Sequence, residues 1–409
     1  MTGRRTHIRI PVAGRYITPL GEEFASVEAL GGLALLLGAV AALVWANSPW
    51  SASYESFWNY EVAVGIGGWS ITNSLQHWVN DGLMTIFFFI VGVEIKRELT
   101  EGELSDLATA RLPVAAALGG MLVPAVIYIA WNPSGEATRG WGIPMATDIA
   151  FALGILALLG PRVPRGLKLF LLTLAIVDDI GAIIVIAIFY SEGIQLAWLG
   201  GAVAVLAAVY LMRRLGAGHP LVVVLPAFVL WVCVFESGVH ATIAGVALGL
   251  LIPVRTERDR VVLDRLEHGL HPWTSFLIVP VFALANAGVA LGPEVLRDAA
   301  SSPIAWGVAS GLIIGKVVGI VGVTVLAPRL RLGRLPDGVH FRQVLGVGIL
   351  AGIGFTVSLF VAELAFHGTP LETAKIGILA ASLLAGLLGV GVLFRSARPT
   401  LPAEGADAG

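Results

Sequence analysis

Charge is what this sequence has least of. Of its 409 residues only 13% are Asp, Glu, Lys or Arg, whereas 56% are hydrophobic, and mean hydropathy is +0.85. A soluble globular chain carries about 25% charged residues. Half that density leaves too little polar surface to cover a water-facing exterior of this size, so lipid is the solvent for most of the chain. Cysteine is nearly absent too. Cys233 stands alone in an apolar run, which excludes an intrachain disulfide framework and reads as a small buried hydrophobe. The net charge of −2 says little about partners, because the charges are unevenly placed, and no basic stripe suggests nucleic acid. Arg4, Arg5, Arg9 and Arg15 precede the first apolar run near Ala29 without a convincing small-residue cleavage site. They read as topogenic charge and not as a secretory or twin-arginine signal.

Long apolar runs are abundant instead. A helix needs about 20 apolar residues to cross a hydrocarbon core of ~30 Å. Twelve runs qualify or nearly qualify: roughly 29–46, 81–95, 112–131, 145–160, 169–190, 197–212, 221–235, 238–254, 273–291, 304–327, 345–365 and 376–394. Short connections make them one bundle. Residues 1–28 form a cytoplasmic N-terminal tail, 29–394 the transmembrane domain, and 395–409 a cytoplasmic C-terminal tail. With both termini inside, 22 of the 26 Lys and Arg fall on the inner side, as the positive-inside rule requires. Arg139, Arg297 and Lys375 fall outside, and Lys316 lies within a span.

One outer loop, Glu61–Thr72, alternates apolar and polar residues around Gly-rich turn material. That is a hairpin signal, and its free edges offer pairing to a second copy; an irregular amphipathic loop is the competing reading.

Ionisable groups deep in a span cost at least ~2.5–3.5 kcal/mol each, so they default to functional candidates. Asp178 and Asp179 sit near the middle of run five. Adjacent helical residues point about 100° apart, so both can border one cavity. Two carboxylates this close cannot both stay ionised cheaply, which makes the pair able to hold either protons or a cation. Thr147-Asp148 opens the short run four after Gly142-Ile-Pro144. Ordinary N-capping competes here, but discontinuous helices are also where transporters bind ions. Lys316 needs a carboxylate or a concentration of carbonyl dipoles, with snorkelling as the alternative. Run eleven holds four glycines between Gly346 and Gly354, read either as a weakened helix or as close packing. Runs 3–5 and 10–12 thus each place a broken helix between two longer ones. An offset of seven spans gives them opposite topology, an arrangement associated with alternating access.

The carrying segments are Phe89–Leu99 with Glu94 and Arg97, Ala146–Gly154, Ile176–Ala182, Ser237–Thr242, Leu266–Trp273, Phe282–Gly288 and Gly352–Thr356. In this order and spacing the chain resembles the NhaA-type sodium/proton antiporter family almost end to end. The resemblance implies an all-α polytopic membrane protein of about twelve transmembrane helices. It would have inverted-topology repeats, two discontinuous helices (runs 4 and 11) and a short periplasmic β-hairpin, in the bacterial inner membrane. It further implies no enzyme activity and no cofactor. Na+ or Li+ and H+ would be the transported ions, and the hairpin the contact of a homodimer. Asp179 would be the main cation ligand and Asp178 the partner acid that exchanges a proton through Lys316. Thr147 and Asp148 would flank the site, with Asp178, Asp179 and Thr147 offering oxygens to Na+. Glu94, Arg97, Glu98, Glu267 and His268 would set the pH response. His240 is read either as a further pH-tuning group or as a packed helix histidine. The chain departs from the family pattern at Glu236, Val317 and Gly269, none of which touches the aspartates.

Three other functions fit less well. An intramembrane aspartyl protease needs its two aspartates on separate helices, and Gly-x-Gly-Asp is missing. A channel needs polar rings at several depths. A proton-coupled carrier of an organic solute needs more aromatic and amide lining. The charge asymmetry predicts that a reporter fused after Gly409 is active in the cytoplasm; activity confined to the periplasm would overturn the assignment of spans.

Overall fold

The computed structural model describes residues 20–396 except 67–68, 161–162, 192, 216–219, 253–256, 334 and 337. The tail arginines, Arg4 to Arg15 and Arg398, therefore lie outside the described residues.

The chain opens with α1 (Leu20–Ala46), α2 (Ser51–Trp58) and a hairpin, β1 (Glu61–Ile66) and β2 (Trp69–Ser74). Then follow α3 (Leu75–Thr100), α4 (Leu107–Trp131), a 3₁₀ segment (Glu136–Met145), α5 (Ile149–Leu158), α6 (Arg165–Phe189) and α7 (Leu196–Arg214). After these come α8 (Pro220–Glu236), α9 (Thr242–Leu250), α10 (Glu257–Trp273), α11 (Val279–Asn286) and α12 (Pro293–Ser301). The last are α13 (Pro303–Leu326), α14 (Phe341–Leu350), α15 (Phe355–Ala365) and α16 (Thr369–Ser396). Among the described residues, seven helical segments are long and apolar enough to cross a membrane, and α14–α15 forms a further span bent by 42°. Among the described residues each apolar run overlaps at least one helix, and the protein is a polytopic helical membrane protein with one small antiparallel sheet among those residues.

The hairpin reading of the outer loop holds, with Glu61 opposite Ser74 and Ile66 opposite Trp69. Boundaries moved where charge ended an apolar run without ending the helix. Helix α1 already includes Leu20, inside the expected tail, where Glu22, Glu23 and Glu28 are good helix formers. Helix α10 likewise already includes the charged residues from Glu257. Run eight overshoots, since α9 starts only at Thr242. Gly238 before it adopts φ +79°, open to glycine at no steric cost. Short helices α2 and α12 were not anticipated.

Close approach through small residues brings the repeats together. A Cβ on Gly319 of α13 would stand 2.1 Å from the carbonyl oxygen of Gly119 on α4, and one on Gly119 would stand 2.6 Å from that of Gly319. Nothing larger fits while these backbones touch, as in small-residue packing between membrane helices. Within run eleven both readings of the glycines apply to different residues. Gly346 and Gly348 lie in α14, against Leu393 and Val321. Gly352 and Gly354 lie in the break itself, where a Cβ would meet the Leu312 carbonyl at 2.5 Å or the Ser358 hydroxyl at 2.2 Å.

In the first repeat the break falls between the 3₁₀ segment and α5. Tyr128 of α4 donates to the Ala137 carbonyl at 2.8 Å, and Tyr190 at the end of α6 donates to that of Arg139 at 2.7 Å. Gly140 and Gly142 leave the space these rings occupy. The segment is thus held at both flanks, and Ala146-Thr147-Asp148 beyond its end runs extended across the bundle. There it meets the break of the second repeat: the Asp148 amide donates to the Ile353 carbonyl at 2.6 Å.

Candidate functional site

Four helix ends converge where the breaks cross. A helix terminus carries roughly half an elementary charge, positive at the N-terminus and negative at the C-terminus. Both positive ends share one carboxylate. Asp148 Oδ1 accepts from the Phe151 amide of α5 at 3.1 Å, and its Oδ2 accepts from the Thr356 amide of α15 at 3.0 Å and from the Thr356 hydroxyl. The negative ends are met by donors. The Lys316 ammonium donates to the Met145 carbonyl, which closes the 3₁₀ segment, and the Thr147 hydroxyl, whose one proton is shared between this acceptor and Asp178 Oδ2, lies 2.9 Å from the Ala351 carbonyl past α14.

Beside this crossing, α6 presents the aspartate pair. Asp178 is 1% exposed; its Oδ2 receives Lys316 Nζ at 2.6 Å and the Thr147 hydroxyl at 2.7 Å. Its Oδ1 is buried without a hydrogen-bond partner among the described residues. Lys316 is fully buried. It follows a π turn, Gly311–Gly315, that widens α13 by one residue just before it; such bulges recur at functional sites. Asp179 is different. It is 5% exposed, accepts no hydrogen bond among the described residues, and lines a cavity of about 80 Å³ with Asp148, Thr147, Thr356, Glu94 and His271. The two acids therefore diverge as the helical step requires: one is engaged by Lys316, the other faces open space.

Glu94 and His271 lie at the cavity end nearest the charged cluster between α3 and α10. There Arg97 pairs with Glu267 at 2.5 Å and with Asp264 at 3.4 Å. Burial pushes the Glu267 carboxyl above its ordinary range, with the Arg97 guanidinium pulling against it. Burial pushes the His271 imidazole down, and neighbouring His268 adds to the shift. Glu98 accepts from the Glu103 amide at 2.9 Å, and exposed His268 contacts the Asp264 carbonyl at 2.7 Å. Five of the six residues expected to respond to pH thus gather at one end. His240 stands apart, 2.8 Å from the Tyr190 carbonyl, where it ties the turn before α9 to the end of α6.

Sequence reasoning missed Thr356, His271 and the Met145 and Ala351 carbonyls. Thr356 had a signal, since it stands in the first turn expected after Gly352-Ile-Gly354, where a hydroxyl can reach a neighbouring terminus. Backbone carbonyls leave none, because any residue type supplies them.

A family model described as Na+/H+ antiporter 1 matches residues 22–393. The chain belongs to this family. It is 48% identical to the Na(+)/H(+) antiporter NhaA of Yersinia pseudotuberculosis serotype O:1b over 95% of this chain and 98% of that one. It is 49% identical to the protein of the same name from Yersinia enterocolitica serotype O:8, over 95% of this chain and 99% of that one.

Within the family fold, Lys316 supports both Asp178 and the end of the 3₁₀ segment. Removing one partner of a buried ion pair costs about 3–5 kcal/mol because the other charge stays behind. Lys316→Ala is therefore expected to lower the melting temperature in detergent and to shift the pH profile of activity. Unchanged melting together with an unchanged profile would show that the ammonium holds neither group.

Proposed function

We propose that the protein is a secondary active antiporter of the bacterial inner membrane that exchanges cytoplasmic Na+, or Li+, for external protons, serving sodium and pH homeostasis. The observation that carries this reading is Asp179, a buried carboxylate without a hydrogen-bond partner among the described residues, facing a small cavity beside an Asp178 already engaged by Lys316. A small hard cation takes oxygen ligands. Asp179 offers a carboxylate, with Asp178 and the Thr147 hydroxyl next to it.

A cation enters past Glu94 and is held by Asp179. A proton on that carboxylate removes the charge that holds the cation, so each excludes the other from the same oxygens. Asp178 takes up a proton as its pair with the Lys316 ammonium opens and releases it as the pair re-forms. Two carboxylates serve one monovalent cation, so more protons than cations cross per cycle and exchange is electrogenic. Asp148 and Lys316 keep the helix ends balanced in both loaded states. The Arg97–Glu267 cluster, with Glu94, Glu98 and His268, sets the pH response at the cavity mouth; His240 serves packing at the opposite end.

Both termini lie in the cytoplasm, flanking one transmembrane domain, and the hairpin β1–β2 pairs with a second copy as a homodimer. The cavity also weighs against a carrier of another small solute. About 80 Å³ holds no more than a few water-sized groups.

Proteoliposomes with an entrapped pH dye, challenged with Na+, Li+, K+ and small organic solutes, test the proposal. Na+ or Li+ should discharge an imposed pH gradient, faster when the membrane potential is clamped, and Asp179→Asn should abolish the response. A response to an organic solute with none to Na+ would support the solute carrier instead.

A further inference from the structure

The inner end of the site opens into a cavity, but the opposite end is closed by two layers stacked along one face of α15. Counting from Thr356 at the site, Phe360 and Glu363 follow at +4 and +7, so all three share that face. At 1.5 Å per residue, Glu363 stands about 10 Å beyond Thr356. Phe360 packs between Phe88 of α3, at 5.4 Å between ring centroids, and Phe282 of α11, at 6.3 Å. All three rings are buried. Beyond them lies a polar layer that the ion site does not use.

This layer consists of two tight pairs and one join. On one side Asn80 of α3 and Asn286 of α11 hydrogen-bond reciprocally, at 3.2 and 2.8 Å. On the other, Glu363 of α15 pairs with Lys375 of α16 at 2.6 Å, both largely buried. Gln76 of α3 links them: its amide nitrogen donates to Asn286 Oδ1 at 3.0 Å and to Glu363 Oε1 at 3.2 Å. A carboxamide nitrogen has two protons, and both are used. Buried polar groups must stay paired. Each pair is satisfied within itself, so among the hydrogen bonds of this layer's described residues only the Gln76–Glu363 bond must be given up if the halves part.

We propose that the Gln76–Glu363 contact is the outer lock of the transport cycle, joining α3–α11 to α15–α16 while the site faces inward and breaking when it faces outward. The proposal rests on the antiport reading above. Separation of α15 from α3 and α11 along this face parts Phe360 from Phe88 and Phe282, which uncovers a path from Asp179 to the outside. The asparagine pair and the Glu363–Lys375 pair travel intact with their own helices, so the lock opens without leaving a charge unpaired.

The test uses Gln76→Cys/Glu363→Cys in a Cys233→Ser background, bridged by a short, reducible bis-methanethiosulfonate reagent. Bridged protein should lose at least 90% of Na+/H+ exchange in proteoliposomes, keep its Na+ affinity in detergent within about twofold, and recover exchange on reduction. Exchange at the unbridged rate would overturn the lock. Loss of Na+ binding along with exchange would place the contact on the inner route and also overturn it. Wild-type protein that exchanges no Na+ for H+ would instead sink the antiport reading. If the paired cysteines inactivate the protein before bridging, Gln76→Leu carries the test through hydrogen exchange. Amides of 279–286 and 355–365 should then exchange at least twofold faster, and unchanged protection would overturn the proposal.

Discussion

The crossing of two interrupted helices, with its four termini held in electrostatic balance, is the constraint on which the rest of this structure depends. Unpaired carbonyls and amides in the middle of a hydrocarbon layer are tolerated only where protein or a water-filled cavity meets them. Here Asp148 answers two N-termini at once, through the amides of Phe151 and Thr356. Lys316 and Thr147 answer the opposing carbonyl ends at Met145 and Ala351. Remove that balance and the extended stretch at 146–148 and the turn at 351–354 have no reason to persist inside a bundle. With it, the same residues bring two further groups, Asp178 and Asp179, to one point on α6.

Packing serves this point. The contact of Gly119 with Gly319 draws α4 and α13 together until their backbones touch, which carries Lys316 to the first repeat. Tyr128 and Tyr190 clamp the outer half of the 3₁₀ segment, so its inner end projects in one direction only. The aspartates then acquire different surroundings from the geometry of one helix. A rotation of about 100° turns Asp178 to the lysine and leaves Asp179 facing the cavity. A carboxylate paired with an ammonium suits support and proton exchange; one without a hydrogen-bond partner among the described residues suits a visiting cation.

Much of this was legible in the sequence, because membrane burial makes charge rare and therefore informative. Asp148, Asp178, Asp179 and Lys316 stood out by position alone, and Gly142-Ile-Pro144 with the glycines up to Gly354 marked both breaks. The hairpin followed from its alternation. Helix extents were less legible: α1 and α10 include charged sequence at 22–28 and 257–265, where hydropathy has no signal. The partition of the aspartates was not legible either, since adjacency fixes the angle between them but not which one Lys316 reaches. Carbonyl partners such as Met145 and Ala351 depend on backbone path. The outer layer of Gln76, Asn80, Asn286 and Glu363 comes from helices distant in sequence, and no local pattern assembles it.

The central claim is that cation and proton compete for the Asp179 carboxylate. It is tested most directly by measuring Na+ affinity calorimetrically from about pH 6 to 9 at fixed ionic strength, for wild type and Asp179→Asn. Competition predicts that affinity weakens as pH falls, approaching tenfold per pH unit for each competing proton, which is about 1.4 kcal/mol per unit, and that Asp179→Asn binds no Na+. An affinity independent of pH across that range, or wild-type binding by Asp179→Asn, would contradict it.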